Sequence, residues 1–213
     1  LQALTSLQPQ TAAWRYQLGL LLAAQEPESA LAQLSLAAEQ DPDYAPAAQA
    51  IQRSVTAARR AGDPAYLRLA SGRALASLGE WDLAAHAFSA SVQLRPDYAE
   101  AWAFLGEARQ HLGEDGLPAL EEALLLDPDS IAANSFLSLY WQRKDRFGLA
   151  LVYLEVAARL DPSNPAHQAE LGRLLASLGN FPEARQHYEN ATRLAPRDPT
   201  YWRSLALFSI QSE

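Results

Sequence analysis

Four histidines, 25 acidic side chains and 17 basic ones are the groups in this chain of 213 residues that could do chemistry. A metal or catalytic histidine needs a partner at ligand or hydrogen-bond spacing. His86, His111, His167 and His187 stand far apart, with no His-x-x-x-His or His-Glu-x-x-His pattern. One ion would have to draw ligands from several elements, so these read as surface histidines and no metal is expected. Cysteine is absent, which removes disulfides, thiol nucleophiles and thiolate-bound metal. Asp41-Pro42-Asp43, Asp127-Pro128-Asp129 and Asp161-Pro162 resemble calcium loops, yet they lack the alternating oxygen ligands and glycine of an EF-hand. Aspartates at those points suit turns and helix caps. No glycine-rich phosphate loop precedes Lys144, the only lysine, and there is no Gly-x-Ser-x-Gly elbow. Glu107, Glu121 and Glu122 fit solvated faces better than an acid/base pair. The expectation is no enzyme, no catalytic residue and no cofactor.

Bulk properties narrow the partners. The net charge of −8 disfavours nucleic acid, because a phosphate backbone requires a basic face. No apolar run approaches the roughly 18 residues that span a bilayer; Leu18 to Ala24 is the longest candidate and reads as a core turn. The sequence does not begin with Met, so a targeting segment could have been removed, and the compartment stays open with the cytoplasm as default. Hydrophobic residues make up 49% and charged residues 20%, rich in Ala and Leu, which suits stacked helices.

What positions these groups is a repeat. Residues 165–198 read as two short amphipathic helices, one through Leu171, Leu174, Leu175 and Leu178, the other through Ala184, Tyr188, Ala191 and Leu194. Gly179 can end the first helix with positive φ. The same pattern occupies residues 65–98, where Arg73-Ala-Leu-Ala-Ser-Leu-Gly79 is echoed by Arg173-Leu-Leu-Ala-Ser-Leu-Gly179. Two markers set the period. Prolines at 9, 42, 96, 128, 162 and 196 are spaced by 33, 54, 32, 34 and 34 residues. Small residues at Gly19, Gly72, Gly106, Ser138, Gly172 and Ala206 are spaced by 53, 34, 32, 34 and 34.

A 34-residue helix–turn–helix period resembles the tetratricopeptide repeat, or TPR. Its signature residues stand at Trp102, Leu105 and Gly106 in one unit and at Leu171, Gly172, Phe181, Ala184, Tyr188, Ala191 and Pro196 in another. The resemblance implies an all-α, right-handed TPR superhelix, an α-solenoid of about five helix-turn-helix repeats. Residues 1–10 read as the end of a preceding repeat, 11–42 as a TPR-like repeat, and 65–98, 99–130, 131–164 and 165–198 as TPR units. The 99–130 unit is two residues short, and its second helix is expected to start near Pro118. Residues 199–213 read as the first helix of a further repeat or cap. The 54-residue spacing exceeds one repeat by room for one more helix, predicted at about 45–61 within 43–64, with Ile51 and Val55 on one face. That segment is equally a degenerate repeat without its second helix, and the superhelix should change direction there.

The resemblance also implies a concave groove lined by first helices. Carried over, the candidate groove residues are Tyr66, Leu69, Arg73, Phe104, Glu107, Gln110, His111, Phe136, Leu139, Gln142, Arg143, Glu170, Arg173 and Arg203. Apolar area beside arginine forks suits a protein or peptide partner with acidic groups. The chaperone-binding carboxylate clamp of the family needs Lys and Asn residues in the groove. Lys144 and Asn134 alone do not supply it, and an asparagine ladder is absent too. The leading expectation is a non-enzymatic interaction scaffold. The alternatives are a soluble TPR arm of a larger enzyme or membrane protein, for example in bacterial glycan assembly, and an oligomerisation module. Trp202, Leu205, Leu207, Phe208 and Ile210 leave an apolar face for self-association, although the expected reason is a native chain that continues.

Overall fold

The computed structural model describes residues 11–211; the expectation for residues 1–10 lies outside them. The described residues form twelve α-helices and no strand. The chain is all-α, and it divides into two compact units, residues 1–119 and 120–213.

In the first unit, α1 (Ala12–Gln25) pairs with α2 (Pro27–Gln40). A 3-10 turn at Pro42–Tyr44 leads into α3 (Ala45–Arg59), followed by the hairpin of α4 (Pro64–Ser77) and α5 (Trp81–Leu94), then α6 (Ala99–His111). Helix α7 spans Leu117–Leu126, starting one residue before Pro118. In the second unit, α8 (Ile131–Arg143) pairs with α9 (Phe147–Leu160), α10 (Pro165–Ser177) with α11 (Phe181–Leu194), and α12 (Pro199–Gln211) packs on α11.

The helix starts are set by short polar side chains. Asp63 accepts from the Ala65 and Tyr66 amides at 2.8 and 3.2 Å, ahead of Pro64 in the first turn. Ser130 caps Ala133 and Asn164 caps Ala166 in the same way. The aspartates of the Asp-Pro-Asp turns are used locally: Asp41 accepts from the Asp43 amide at 3.0 Å and Asp127 from the Asp129 amide at 3.1 Å. The repeat-closing prolines have a function too. Trp102 Nε1 donates to the Pro96 carbonyl at 2.7 Å and Trp202 Nε1 to that of Pro196 at 3.0 Å, while Asn134 Nδ2 replaces the indole at Pro128.

Hairpins close through one left-handed residue. Gly79 (φ 81°) and Gly179 (φ 80°) are followed by Glu80 and Asn180, whose amides reach back to the carbonyls of Leu75 and Leu175. Between α8 and α9 the same position is Asp145, at φ 56°.

The helix interfaces rest on a repeated seam. A Cβ on Gly72 would fall 2.5 Å from the Phe88 ring, and one on Gly172 would fall 3.0 Å from Tyr188. In each hairpin the missing side chain admits a ring sixteen residues further on. Gly116 extends the idea to the short 99–130 repeat, because a Cβ there would run into the Gly106 carbonyl. The loop before α7 therefore folds tightly onto α6, which is how two residues are saved.

Helix α3 breaks the pattern. Between regular hairpins, second helix meets next first helix: α5 on α6, α9 on α10, α11 on α12. Around α3, the first helix α1 packs directly on both α4 and α5, while α3 packs against α2 and α4. Ser71 Oγ and Arg68 Nη1 of α4 donate to the last-turn carbonyls of α1, Ala23 at 2.6 Å and Ala24 at 3.3 Å. These bonds satisfy acceptors that a helix C-terminus leaves open. A single core results, joining Leu20, Leu34, Ile51, Val55, Leu69, Leu75 and Phe88.

Candidate functional site

In the first unit the expected groove residues separate into two groups. Arg73 is exposed, and its Nη1 donates to Glu100 Oε1 at 3.1 Å while the guanidinium lies 5.1 Å from the centre of the Phe104 ring. Phe104 in turn packs on Phe88 at 5.5 Å. Tyr66 is half-buried on the same helix as Arg73. The second group gathers on Trp81: the His111 imidazole stacks on the indole at 3.6 Å, nearly parallel. His111 Nε2 lies 3.0 Å from Glu107 Oε1, and Gln110 Nε2 donates to Glu107 Oε2 at 3.2 Å.

Two of the expected residues do not face a groove. Leu69 is fully buried, in the core cluster that contains Leu20, Ala23 and Ala24 of α1. The passage of α1 across α4 takes that position away from solvent. Glu107 is only 5% exposed, and its carboxylate is held by Gln110 and His111.

In the second unit, Phe136 and Leu139 are half-buried on α8, and Arg143 is exposed at its end. Arg173 sits on α10 with both forks engaged. Nε and Nη2 donate to Glu170 at 2.9 and 2.6 Å, and Nη2 also reaches Gln142 Oε1. Donation of hydrogen bonds to the Glu170 carboxylate raises the Arg173 pKa above its ordinary value. Gln142 Nε2 donates to Ser138 at 3.1 Å. Gln142, Glu170 and Arg173 thus form one network, whereas Arg203 is exposed on α12 and is not part of it. Two of the four expected guanidinium groups, Arg73 and Arg173, are held by the protein's own acids, Glu100 and Glu170.

Beside this network lies a depression of about 400 Å³ between α10, α11 and α12. Tyr188 and Phe208, whose rings are 5.1 Å apart, give it an apolar floor, and Arg173, Ser177, Leu207 and Gln211 line its sides. Burial raises the Tyr188 pKa above its ordinary value. Tyr188 reads from sequence as a packing residue and Phe208 as part of the exposed apolar face of the last helix; Phe208 is instead buried, packed on Tyr188. The spacing of Tyr188 marks only the buried side of its helix and gave no sign of the opening.

The histidines divide as well. His86 and His111 are exposed, but His167 is buried with Nε2 3.2 Å from Ser135 Oγ, and His187 is half-buried with Nδ1 2.9 Å from Gln168 Oε1. The surface reading therefore fails for His167, which fills a gap between α8 and α10. Among the described residues no group of three His, Asp or Glu side chains is placed to hold a metal ion, and no helix is long and apolar enough to cross a membrane.

Two tetratricopeptide-repeat family models match the chain, at residues 69–115 and 143–207, together just over half of it. The chain is a TPR protein. No curated protein matches it in sequence. Solved TPR structures resemble it in fold. The thermophilic TPR protein TTC0263 of Thermus thermophilus is 20% identical with a TM-score of 0.64, over 94% of this chain and all of that one. MamA is 22% identical with a TM-score of 0.56, over 66% of this chain and 84% of that one. YrrB, described as a TPR protein with an unusual peptide-binding site, is 16% identical with a TM-score of 0.54, over 95% and 96%. At these identities the likeness is one of fold alone.

Proposed function

We propose that this TPR protein is a non-enzymatic scaffold that seats a peptide or protein segment of a partner in the depression between α10, α11 and α12. The observation that carries the reading is the combination found there: an aromatic floor of Tyr188 and Phe208, an exposed Leu207, and polar groups from Arg173, Ser177 and Gln211 at the edge. Such a site takes one apolar side chain and fixes the backbone beside it with hydrogen bonds, the usual division of labour in a ligand pocket. An aromatic-floored seat next to arginine is also the composition of interaction hot spots. The described peptide-binding site of YrrB is in keeping with a peptide role for a protein of this fold.

The test is selection of displayed twelve-residue peptides on the parent chain, with titration of the winners by calorimetry. Leu207→Asp and Ser177→Trp, at the rim and not in the core, are expected to weaken binding by about tenfold or more. Unaltered binding by both variants would move the site elsewhere. A second reading rests on exposed Trp202 and Ile210, 51% and 74% accessible on α12: self-association through that face. A monomeric mass at high concentration in sedimentation equilibrium rules it out.

A further inference from the structure

The irregular helix α3 creates a surface that the regular hairpins do not have. Two adjoining depressions run along it, of about 430 and 320 Å³, and share Arg53 and Ala57. The larger lies against α4, with Tyr66, Arg73 and Ser54 on its walls; the smaller continues to Arg60. Alanines 50, 57 and 70 make much of the floor, so a chain can approach closely. Ser54 Oγ donates to the Ala70 carbonyl at 2.8 Å and ties the two helices together beneath it.

The charge of this surface opposes that of the molecule. Three arginines line the two depressions and no carboxylate does, in a chain with a net charge of −8. Arg53 uses Nε on the Gln49 carbonyl of its own helix at 3.3 Å, which leaves its outer nitrogens to the groove. Arg60 has no ion pair among the described residues, in contrast to its neighbour Arg59, which is held by Glu28 at 3.2 Å. Arg73 is held by Glu100, outside the lining. The Tyr66 hydroxyl makes no hydrogen bond among the described residues. Concentrated positive charge on an acidic protein steers and orients an anionic partner. Arginine forks suit carboxylates in particular.

We infer that the α3–α4 groove binds an extended, acidic segment of a partner protein through side-chain carboxylates on Arg53 and Arg60, with Arg73 as a reserve cation. The inference goes beyond the depression at α10–α12 and stands or falls without it. A nucleic acid fits less well, since three arginines neutralise a short run of charge and only Tyr66 offers a ring for base stacking.

Fluorescence anisotropy with a labelled peptide, three repeats of Glu-Ser-Glu-Val, tests it against the same peptide with Gln for Glu and against a twelve-nucleotide single strand. The parent chain is expected to prefer the Glu peptide by about tenfold over the Gln peptide. Arg53→Glu with Arg60→Glu should weaken binding by about tenfold or more, and Arg53→Gln with Arg60→Gln serves if the reversal disturbs folding. Glu100→Gln should strengthen binding by roughly threefold, because it releases Arg73, a gain that misfolding cannot imitate. Equal binding of Glu and Gln peptides would overturn the inference, as would an unchanged affinity in the double variant. Tighter binding of the oligonucleotide would overturn it too. So would an equal loss from Arg193→Glu with Arg197→Glu, which makes the same change in net charge outside α3 and α4.

Discussion

The two halves of this chain solve one packing problem in different ways. In the second unit the first helix α10 admits the Tyr188 ring of α11 at Gly172, and each second helix meets the next first helix, α9 on α10 and α11 on α12. The first unit keeps that rule within the α4–α5 hairpin but abandons it around α3, where α1 packs on α4 and α5 directly. One unpaired helix is enough to change which face of the following hairpin is covered. Leu69 disappears into the core, and the α3–α4 groove with its arginines opens beside it. The regular hairpins α10–α12 leave a depression lined by one arginine; the exception leaves a groove lined by three.

The contrast is tested most severely at the two seam rings. Phe88 is fully buried, touches Phe104 and belongs to the core that joins six helices. Phe88→Ala should cost about 3–5 kcal/mol in urea unfolding. Tyr188 has the same register, but its ring borders an open depression that water can enter. Tyr188→Ala should cost less, no more than about 3 kcal/mol, with lost hydrogen-exchange protection confined to α10–α12. Equal costs would mean that the two units are energetically alike.

Adding a single methyl sharpens the same comparison. A helical Gly→Ala change gains about 1 kcal/mol of intrinsic propensity. At Gly72 the new Cβ would meet Phe88 at 2.5 and 2.7 Å, in a site where the ring has nowhere to go. The overpacking cost of about 1–3 kcal/mol should win there, so Gly72→Ala lowers the urea midpoint. At Gly172 the contacts are 3.0 Å to a ring that can shift toward the depression and 3.1 Å to the Ala184 carbonyl. Gly172→Ala should fall within about 0.5 kcal/mol of the parent, because gain and strain offset each other.

How legible these differences are depends on whether they leave a mark on side chains. The seam is legible, since glycine recurring inside helices at one register has few explanations. The helix at Ala45–Arg59 is legible from its apolar spacing and the Gly62-Asp63-Pro64 stop. Its effect on α1 is not, because the decisive acceptors are the backbone carbonyls of Ala23 and Ala24, which no residue type announces. For the same reason Leu69 reads as a groove residue: helical register says which face it occupies, not which helix covers that face. The engagement of Arg173 with Glu170 was in reach, being a pair three residues apart on one helix. The depression at Tyr188 was not, because an aromatic in the buried stripe looks the same whether or not one edge of it is open.

The hairpin turns offer a milder contrast. Glycine takes the left-handed position at Gly79, Gly113 and Gly179, and aspartate takes it at Asp145. A non-glycine residue there is strained, although Asp tolerates it better than most. Asp145→Gly should stabilise by about 0.5 kcal/mol, the strain relieved being partly offset by the greater freedom of unfolded glycine. A fall in the midpoint would show that the Asp145 side chain contributes more than its backbone costs.

The smallest effect expected distinguishes the histidines of the two units. His187 is packed in the second unit, where burial lowers its pKa below the ordinary 6.5 and outweighs the opposing influence of Glu183 and Glu155. The folded protein therefore holds this imidazole neutral at a pH where the unfolded chain has begun to take up a proton. Between 6.5 and the lower folded value the unfolded state binds more protons, so stability rises with pH across that window and falls on acidification. Above 6.5 the contribution vanishes, because the residue is neutral in both states. His187→Gln keeps the polar contact to Gln168 and removes the titration, while His111→Gln alters an exposed ring in the first unit. Thermal melts at intervals from neutral pH downward should show a shallower acid decline for His187→Gln than for the parent. The same slope in both would place the acid sensitivity outside the α10–α11 hairpin.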